Sequence, residues 1–203
     1  MTFQPAGNYY DKYHTQNPIA RKLMDGFMRS FDQLVSASGV TTSAFEMGCG
    51  EGELSIRLAR RGLRVSGVDI AADAIMEART RVKAAGVDVA LGTGSIYELD
   101  AAAYRSDLVV CCEVLEHLDD TQAALAKLHA LCGNRLIASV PREPLWRAMN
   151  MARGKYLSDL GNTPGHVQHW SRNRFLEVLS SRFRVLQVRS PLPWTMALCE
   201  PLK

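Results

Sequence analysis

The stretch Phe45-Glu46-Met47-Gly48-Cys49-Gly50-Glu51-Gly52 decides the architecture, and Asp69, nineteen residues beyond Gly50, completes its meaning. Residues 43–47 carry a short apolar strand signal, and residues 51–61 read as an amphipathic helix. The glycines therefore occupy a strand-to-helix turn. Glycine suits that place because the turn demands unusual backbone angles and no Cβ stands between the backbone and a ligand. Gly67-Val68-Asp69-Ile70 ends the next strand signal, where a carboxylate can accept both hydroxyls of a ribose. A turn open to a nucleoside, with an acid at ribose distance, implies a nucleotide-like ligand.

The third glycine narrows the ligand. A dinucleotide fingerprint runs G-x-G-x-x-G, its last glycine allowing helix and strand to pack closely. Gly48, Gly50 and Gly52 run G-x-G-x-G instead, and Glu53 stands at the sixth position, where it would repel a pyrophosphate. Glu46, Glu51 and Glu53 make the turn acidic, which suits a cationic ligand. The pattern resembles the first motif of the class I S-adenosylmethionine-dependent methyltransferases, whose cofactor carries a sulfonium and an ammonium and no phosphate. That resemblance implies methyltransferase activity with S-adenosyl-L-methionine as cofactor. It also implies cofactor contacts from Glu46, Gly48, Cys49, Gly50 and Gly52, and from Asp69 and Ile70 in the second strand.

Composition sets outer limits. With 203 residues, 47% hydrophobic and 22% charged, the chain reads as one domain over 1–203 with material for a full core. A net charge of +3 is too small to imply nucleic acid, and no run of eighteen apolar residues exists. The polar, aromatic residues 1–13 hold no hydrophobic segment, so neither secretion nor a membrane span is expected. Five cysteines lie mostly in strand signals with no C-x-x-C pair, as in a reduced, cytoplasmic protein.

Strand and helix signals alternate. Ile19, Leu23, Phe27, Phe31, Leu34 and Val35 are spaced three or four apart in a helix over 17–38. Strands follow at 43–48, 64–69, 87–91, 107–112 and 135–140, with helices over 51–61, 73–85 and 121–132. Gly62 and Gly86 stop two helices, and Ser171 caps a helix over 172–180. Strands 183–189 and 194–199 are joined by only 190–193, too short for a crossover helix, so they should be antiparallel. The class is α/β, a Rossmann-like three-layer αβα sandwich around a mostly parallel sheet. The methyltransferase resemblance adds a seven-stranded order 3-2-1-4-5-7-6 with strand 7 antiparallel. Residues 1–40 form an N-terminal helical cap, and 141–171 an acceptor-side insertion.

In such sheets ligands lie at the carboxyl ends of the strands. Gly94, Ser95 and Ile96 follow the third strand, where the resemblance places the adenine edge; Ser95 stands where an aspartate is common. Cys112 and Glu113 follow the fourth, nearest the methionine part of the cofactor, in a segment resembling the ubiquinone-biosynthesis-type enzymes. Tyr9, Tyr10 and Tyr13 precede the first helix, and in the resembling families such a segment folds over the cofactor; Tyr13 is taken as a contact.

The insertion should hold the acceptor, since long connections at this edge serve as lids or binding loops. Leu145, Trp146, Met149 and Met151 interleave with Arg142, Arg147, Arg153 and Lys155, a pattern able to touch a membrane surface or bind an anionic or lipid-like acceptor. Methyl transfer from an activated sulfonium is mostly alignment, but a hydroxyl acceptor must lose a proton. His166, His169 and His117 are the candidate bases. Glu113, Glu116 and His117 form E-x-x-E-H, resembling a metal-binding pattern of ubiquinone-biosynthesis O-methyltransferases. Glu116 and His117 diverge on a helix, and no metal is expected.

The reading is a methyltransferase acting on an oxygen or nitrogen of a small metabolite, lipid or glycoside, with no nucleic acid partner. A nucleic-acid or protein methyltransferase and a non-catalytic cofactor-binding partner are the alternatives. Against the first stands Cys112-Glu113-Val114-Leu115, where amino-methylating nucleic-acid families carry N/D-P-P-Y/F. A dehydrogenase ranks last because of Glu53.

Overall fold

Along Ser106–Cys112 (β4) the side chains alternate between two hydrophobic clusters. Val109 and Cys111 enter one, and Leu108, Val110 and Cys112 the other. A strand buried on both faces must separate two packed layers. The computed structural model, which describes residues 17–203, bears this out. Tyr13 lies outside the described residues, as does the beginning of the expected N-terminal cap.

The sheet comprises β4 with Ser43–Met47 (β1), Arg64–Asp69 (β2), Val89–Thr93 (β3), Cys132–Pro141 (β5), Phe183–Arg189 (β6) and Trp194–Pro201 (β7). Its order is β3-β2-β1-β4-β5-β7-β6. The first five strands are parallel, and β7 runs antiparallel to both β5 and β6. The expected order and the expected direction of the last strand both hold. The helices are Pro18–Ser38 (α1), Glu53–Ala59 (α2), Ala72–Ala85 (α3), Ala101–Tyr104 (α4), Thr121–Leu131 (α5), Leu145–Ala152 (α6) and Arg172–Ser180 (α7). Residues of α1 and α2 and the end of α3 share one cluster, and those of α5 and α7 the other.

Local chemistry fixes the ends. Asn17 Oδ1 accepts from Ile19 N at 2.9 Å and caps α1, while Ser171 Oγ accepts from Arg174 N at 3.3 Å and caps α7 as the sequence predicts. Gly86 closes α3 at φ 65°. Three expectations need correction. The helix after the glycine turn starts at Glu53 rather than residue 51, because Gly50 and Gly52 both hold positive φ. The third strand is shifted to Val89–Thr93, where its register with β2 reaches Asp69↔Thr93. Ile19 is 70% exposed, and Met24 joins the buried stripe instead. On a helix advancing about 100° per residue, Ile19 falls about 100° from the centre of the stripe that buries Phe27, Phe31 and Leu34.

Candidate active site

The glycine turn is bound to the end of β2. Gly48 N and Cys49 N donate to Val68 O at 2.7 and 3.1 Å, and Gly50 N donates to Asp69 Oδ2 at 2.8 Å. Asp69 Oδ1 accepts from Ala71 N at 2.9 Å, and Gly94 N donates to Asp69 O at 2.9 Å. The turn, the acid and the residues after β3 therefore meet at one edge. A Cβ at Gly48 would stand 2.2 Å from Val114 Cγ2. At Gly50, with φ +50°, nothing lies within 4 Å of where a Cβ would stand, so the turn faces open space there.

Glu46, 3% exposed at the end of β1, accepts from Ser55 Oγ of α2 at 2.5 Å. Burial raises the Cys49 thiol well above its ordinary range, and the Glu46 and Asp69 carboxylates push the same way, so Cys49 is a protonated thiol. Burial also raises Cys111, and raises Cys132 and Cys199 to about 12. All five cysteines are buried and free of disulfides, as expected. Ile70 is 47% exposed beside Asp69, whereas the Ile96 side chain enters the core and leaves only its backbone for a ligand. Ser95 Oγ faces Tyr97 N at 3.4 Å.

Glu113 stands apart. Its φ of 61° lies in the left-handed region, and its oxygens accept from Ser139 Oγ at 3.1 Å and Trp194 Nε1 at 2.6 Å. Those bonds hold it toward β5 and β7. The E-x-x-E-H triplet is consequently not one cluster. Glu116, His117 and His166 are brought together instead, with one potential ligand atom from each within 4.8 Å of the others. His166 arrives from the insertion, a grouping no local spacing shows, and the three donors are close enough to share a divalent ion.

Each histidine has its own setting. His117 Nδ1 lies 2.9 Å from Gly165 O, a carbonyl that can only accept, so Nδ1 carries the proton and Nε2 is the basic nitrogen of the neutral ring. His166, 8% exposed, meets His117 edge-on at 4.8 Å between ring centroids and stacks on Trp146 at 6.1 Å. His169 is exposed, and its Nε2 lies 2.7 Å from Asn162 Oδ1. The insertion is stapled down where Val167 N and Gln168 N donate to Glu116 O at 2.9 and 3.0 Å. Burial also raises the Glu143 carboxyl, against the opposing pull of its hydrogen bond from Arg147 N and of the His169 and Arg147 charges.

Sequence reasoning missed Trp194. Its rings contact Phe27 of α1 at 5.1 Å and Trp146 of α6 at 5.8 Å, so it joins both flanking helices to Glu113. The signal lay in the strand direction: an antiparallel strand begins where its parallel neighbours end, and Trp194 pairs with Pro141 at the last step of β5.

A mostly parallel sheet with this order, an acidic glycine turn after β1 and a carboxylate after β2 define a nucleoside-binding α/β domain of methyltransferase topology. A family model described as a methyltransferase domain matches residues 44–134. A ubiquinone biosynthesis O-methyltransferase from Xanthomonas axonopodis pv. citri is 31% identical over 147 residues, covering 66% of this chain and 62% of that protein. The magnesium protoporphyrin IX methyltransferase of Arabidopsis thaliana chloroplasts is 34% identical over 120 residues, covering 58% of this chain and 38% of that protein. Among solved structures, magnesium protoporphyrin IX methyltransferase from Synechocystis with bound SAH has a TM-score of 0.71 at 23% identity, covering 94% of this chain and 90% of that one. The N-methyltransferase NodS from Bradyrhizobium japonicum with S-adenosyl-l-homocysteine has a TM-score of 0.68 at 18% identity, covering 96% and 94%. The likeness to these two structures concerns the fold. Residues 44–134 thus match a methyltransferase domain, set in a fold shared with solved methyltransferases. The chain spans 62% of the first relative, and none of its described helices is long and apolar enough to cross a membrane.

Proposed function

We propose that this protein transfers a methyl group from S-adenosyl-L-methionine to an oxygen or nitrogen of a small molecule. The carrying observation is the Gly50 N to Asp69 Oδ2 hydrogen bond of 2.8 Å, which fixes an acid beside a glycine turn that faces open space. Both Asp69 oxygens hold backbone N–H groups, and each keeps a further lone pair for a ribose hydroxyl. The absence of a Cβ at Gly50 is the fit a nucleoside requires, and exposed Ile70 offers an apolar face to adenine. Glu46 contributes the negative charge that a sulfonium or ammonium needs. When bound, the cofactor supplies a methyl already activated for displacement.

This chain's part is then to position the acceptor and take its proton. His117 is the best-placed base, because the Gly165 carbonyl holds its tautomer with Nε2 basic. The Glu116 carboxylate, within 4.8 Å of both imidazoles, favours the imidazolium that forms. His166 packs edge-on against His117 and stacks on Trp146, which bounds the same place on one side. The relatives named as ubiquinone biosynthesis O-methyltransferases favour an oxygen acceptor.

Titration calorimetry with S-adenosylhomocysteine tests the reading. Wild type should bind it and not NAD, and Asp69→Ala should weaken binding by about 1.5–3 kcal/mol, the scale of lost charge-assisted hydrogen bonds. Unchanged affinity in that variant, or binding of NAD in preference, defeats the reading.

A further inference from the structure

One flank of α1 is left open beside the turn that joins β6 to β7. Ile19, 70% exposed and outside the packed stripe, shares that flank with Lys22, Gly26 and Arg29, which follow it at steps of three and four. Across from them Leu192 of the turn is 53% exposed. Helix and turn bound a groove of about 580 Å³, a size that suits a small ligand. Its floor is Gly26, where an added Cβ would stand 3.9 Å from Pro191 Cβ and 4.0 Å from an Arg29 guanidinium nitrogen. Glycine inside a helix is unfavourable relative to alanine, and here its bare backbone gives the groove its depth.

Two kinds of surface line the groove. Pro18, Ile19, Leu23 and Leu192 are apolar, and the charged residues in the described lining are Lys22 and Arg29. Among the described residues neither cation forms an ion pair. Of the acids on α1, Asp32 is held by Arg57 and Arg61, and Asp25 lies outside the lining. An apolar cleft with two uncompensated cations is complementary to an anion that has an apolar body. A concave groove also envelops one chain, whereas a bilayer presents a broad face.

We infer that this groove binds a single-chain amphiphilic anion of the medium-chain carboxylate class, its chain against Ile19, Leu23 and Leu192 and its head on Lys22 and Arg29. None of the described lining residues belongs to the insertion or to the histidine cluster, so this ligand is a second one and not the methyl acceptor. Trp194 connects the groove to the site. Its backbone N–H donates to Pro191 O at 2.5 Å, and its indole donates to Glu113 Oε2 at 2.6 Å. Its ring also meets Phe27, the neighbour of Gly26 in the chain, at 5.1 Å. A ligand that presses on the turn therefore acts on Glu113 through Trp194.

Titration calorimetry of the full chain with decanoate, kept below its micelle concentration, tests this without any methyl transfer. Wild type should bind one decanoate saturably, and each methylene removed toward octanoate should weaken binding about two- to fourfold, the scale of a partly to fully buried CH₂. Decanol and decyltrimethylammonium should bind at least about tenfold more weakly, because neither offers a carboxylate to the two cations. Lys22→Gln with Arg29→Gln should weaken decanoate about tenfold or more and leave decanol unchanged. Gly26→Leu, which fills the floor, should abolish both. Circular dichroism and S-adenosylhomocysteine affinity should be unchanged in the variants, which keeps a folding failure distinguishable. The inference is overturned if decanoate shows no saturable binding, if decanol binds as tightly, or if either variant binds decanoate like wild type. It is equally overturned if phosphatidylglycerol vesicles bind and monomeric decanoate does not, or if decanoate emerges methylated after incubation with S-adenosylmethionine. Loss of S-adenosylhomocysteine binding with decanoate binding intact would defeat the methyltransferase reading and leave this one standing.

Discussion

The Trp194 indole donates to Glu113 Oε2 at 2.6 Å, tying the first residue of β7 to the residue that follows β4. The bond holds Glu113 at φ 61°, a conformation that costs a residue with a Cβ about 1–2 kcal/mol. Glu113→Ala and Glu113→Gly remove the same side-chain bonds, yet only glycine relaxes the backbone. Glycine also makes the unfolded chain floppier, at about 0.4–1 kcal/mol. The glycine variant should therefore be the more stable of the two by about 0.5–1 kcal/mol, read from urea midpoints. Equal midpoints would mean the residue is unstrained.

Gly48→Ala sets a new methyl 2.2 Å from Val114 Cγ2, in addition to φ +72°. We expect a loss of about 2–4 kcal/mol, the scale of overpacking plus left-handed strain. In the background of Val114→Ala, which deletes that Cγ2, the same substitution should cost at least about 1 kcal/mol less. A double-mutant cycle by thermal or urea unfolding checks it, and a coupling near zero would show that the clash is relieved elsewhere.

Much of this was legible beforehand because its causes are local. Gly48, Gly50 and Gly52 mark a turn through backbone freedom, the alternation of buried side chains marks β4, and Ser171 caps its own helix. What stayed hidden depends on distant partners. His166 reaches His117 across the insertion, and Glu113 leaves its triplet because Trp194 and Ser139 hold it. Ile19 fits the helical period near enough to pass as core, but the packed stripe is set by which face meets the sheet. Arg147 was read among the cations for the acceptor; its guanidinium also bonds the carbonyls of Leu160 and Asp159, which no local spacing shows.

Asp32 joins α1 to α2 through a bidentate pair with Arg57, at 2.8 and 2.7 Å, and a third bond from Arg61 at 3.1 Å. Burial alone would raise its carboxyl, but the two guanidiniums outweigh it and hold the folded value below the ordinary 3.8. A depressed acid stabilises the fold above its unfolded pKa, and that stability is lost as pH falls through the folded value. With side chains 26% and 37% exposed, solvent screening keeps the pair near 0.5–1 kcal/mol, an approximate figure for partly exposed ion pairs. Asp32→Asn should cost about that much at pH 7, and the gap to wild type should close as pH falls below about 4. A gap that persists unchanged at lower pH would mean that the carboxylate charge is not its source.

The three candidate histidines should separate kinetically, since the structure gives each a different neighbourhood. His117 has its tautomer set by Gly165 O, and His166 packs against it, whereas His169 is exposed and joined to Asn162. With any acceptor that the wild-type protein methylates on oxygen, His117→Ala should lower kcat by about a hundredfold or more, the usual contribution of a positioned base. S-adenosylhomocysteine affinity should stay as in wild type, because the imidazole belongs to the acceptor side. His166→Ala should lower kcat less, through loss of the wall that orients His117. His169→Ala should leave kcat largely intact and raise KM, because Asn162 and His169 fasten the loop that shapes the acceptor's place. The pH profile provides the independent readout: the ascending limb of kcat should be present in wild type and His169→Ala and absent in His117→Ala. If His117→Ala keeps full turnover at saturating acceptor, proton removal is not its work and catalysis rests on alignment alone. If it loses cofactor binding instead, the division between the two halves of the site is wrong.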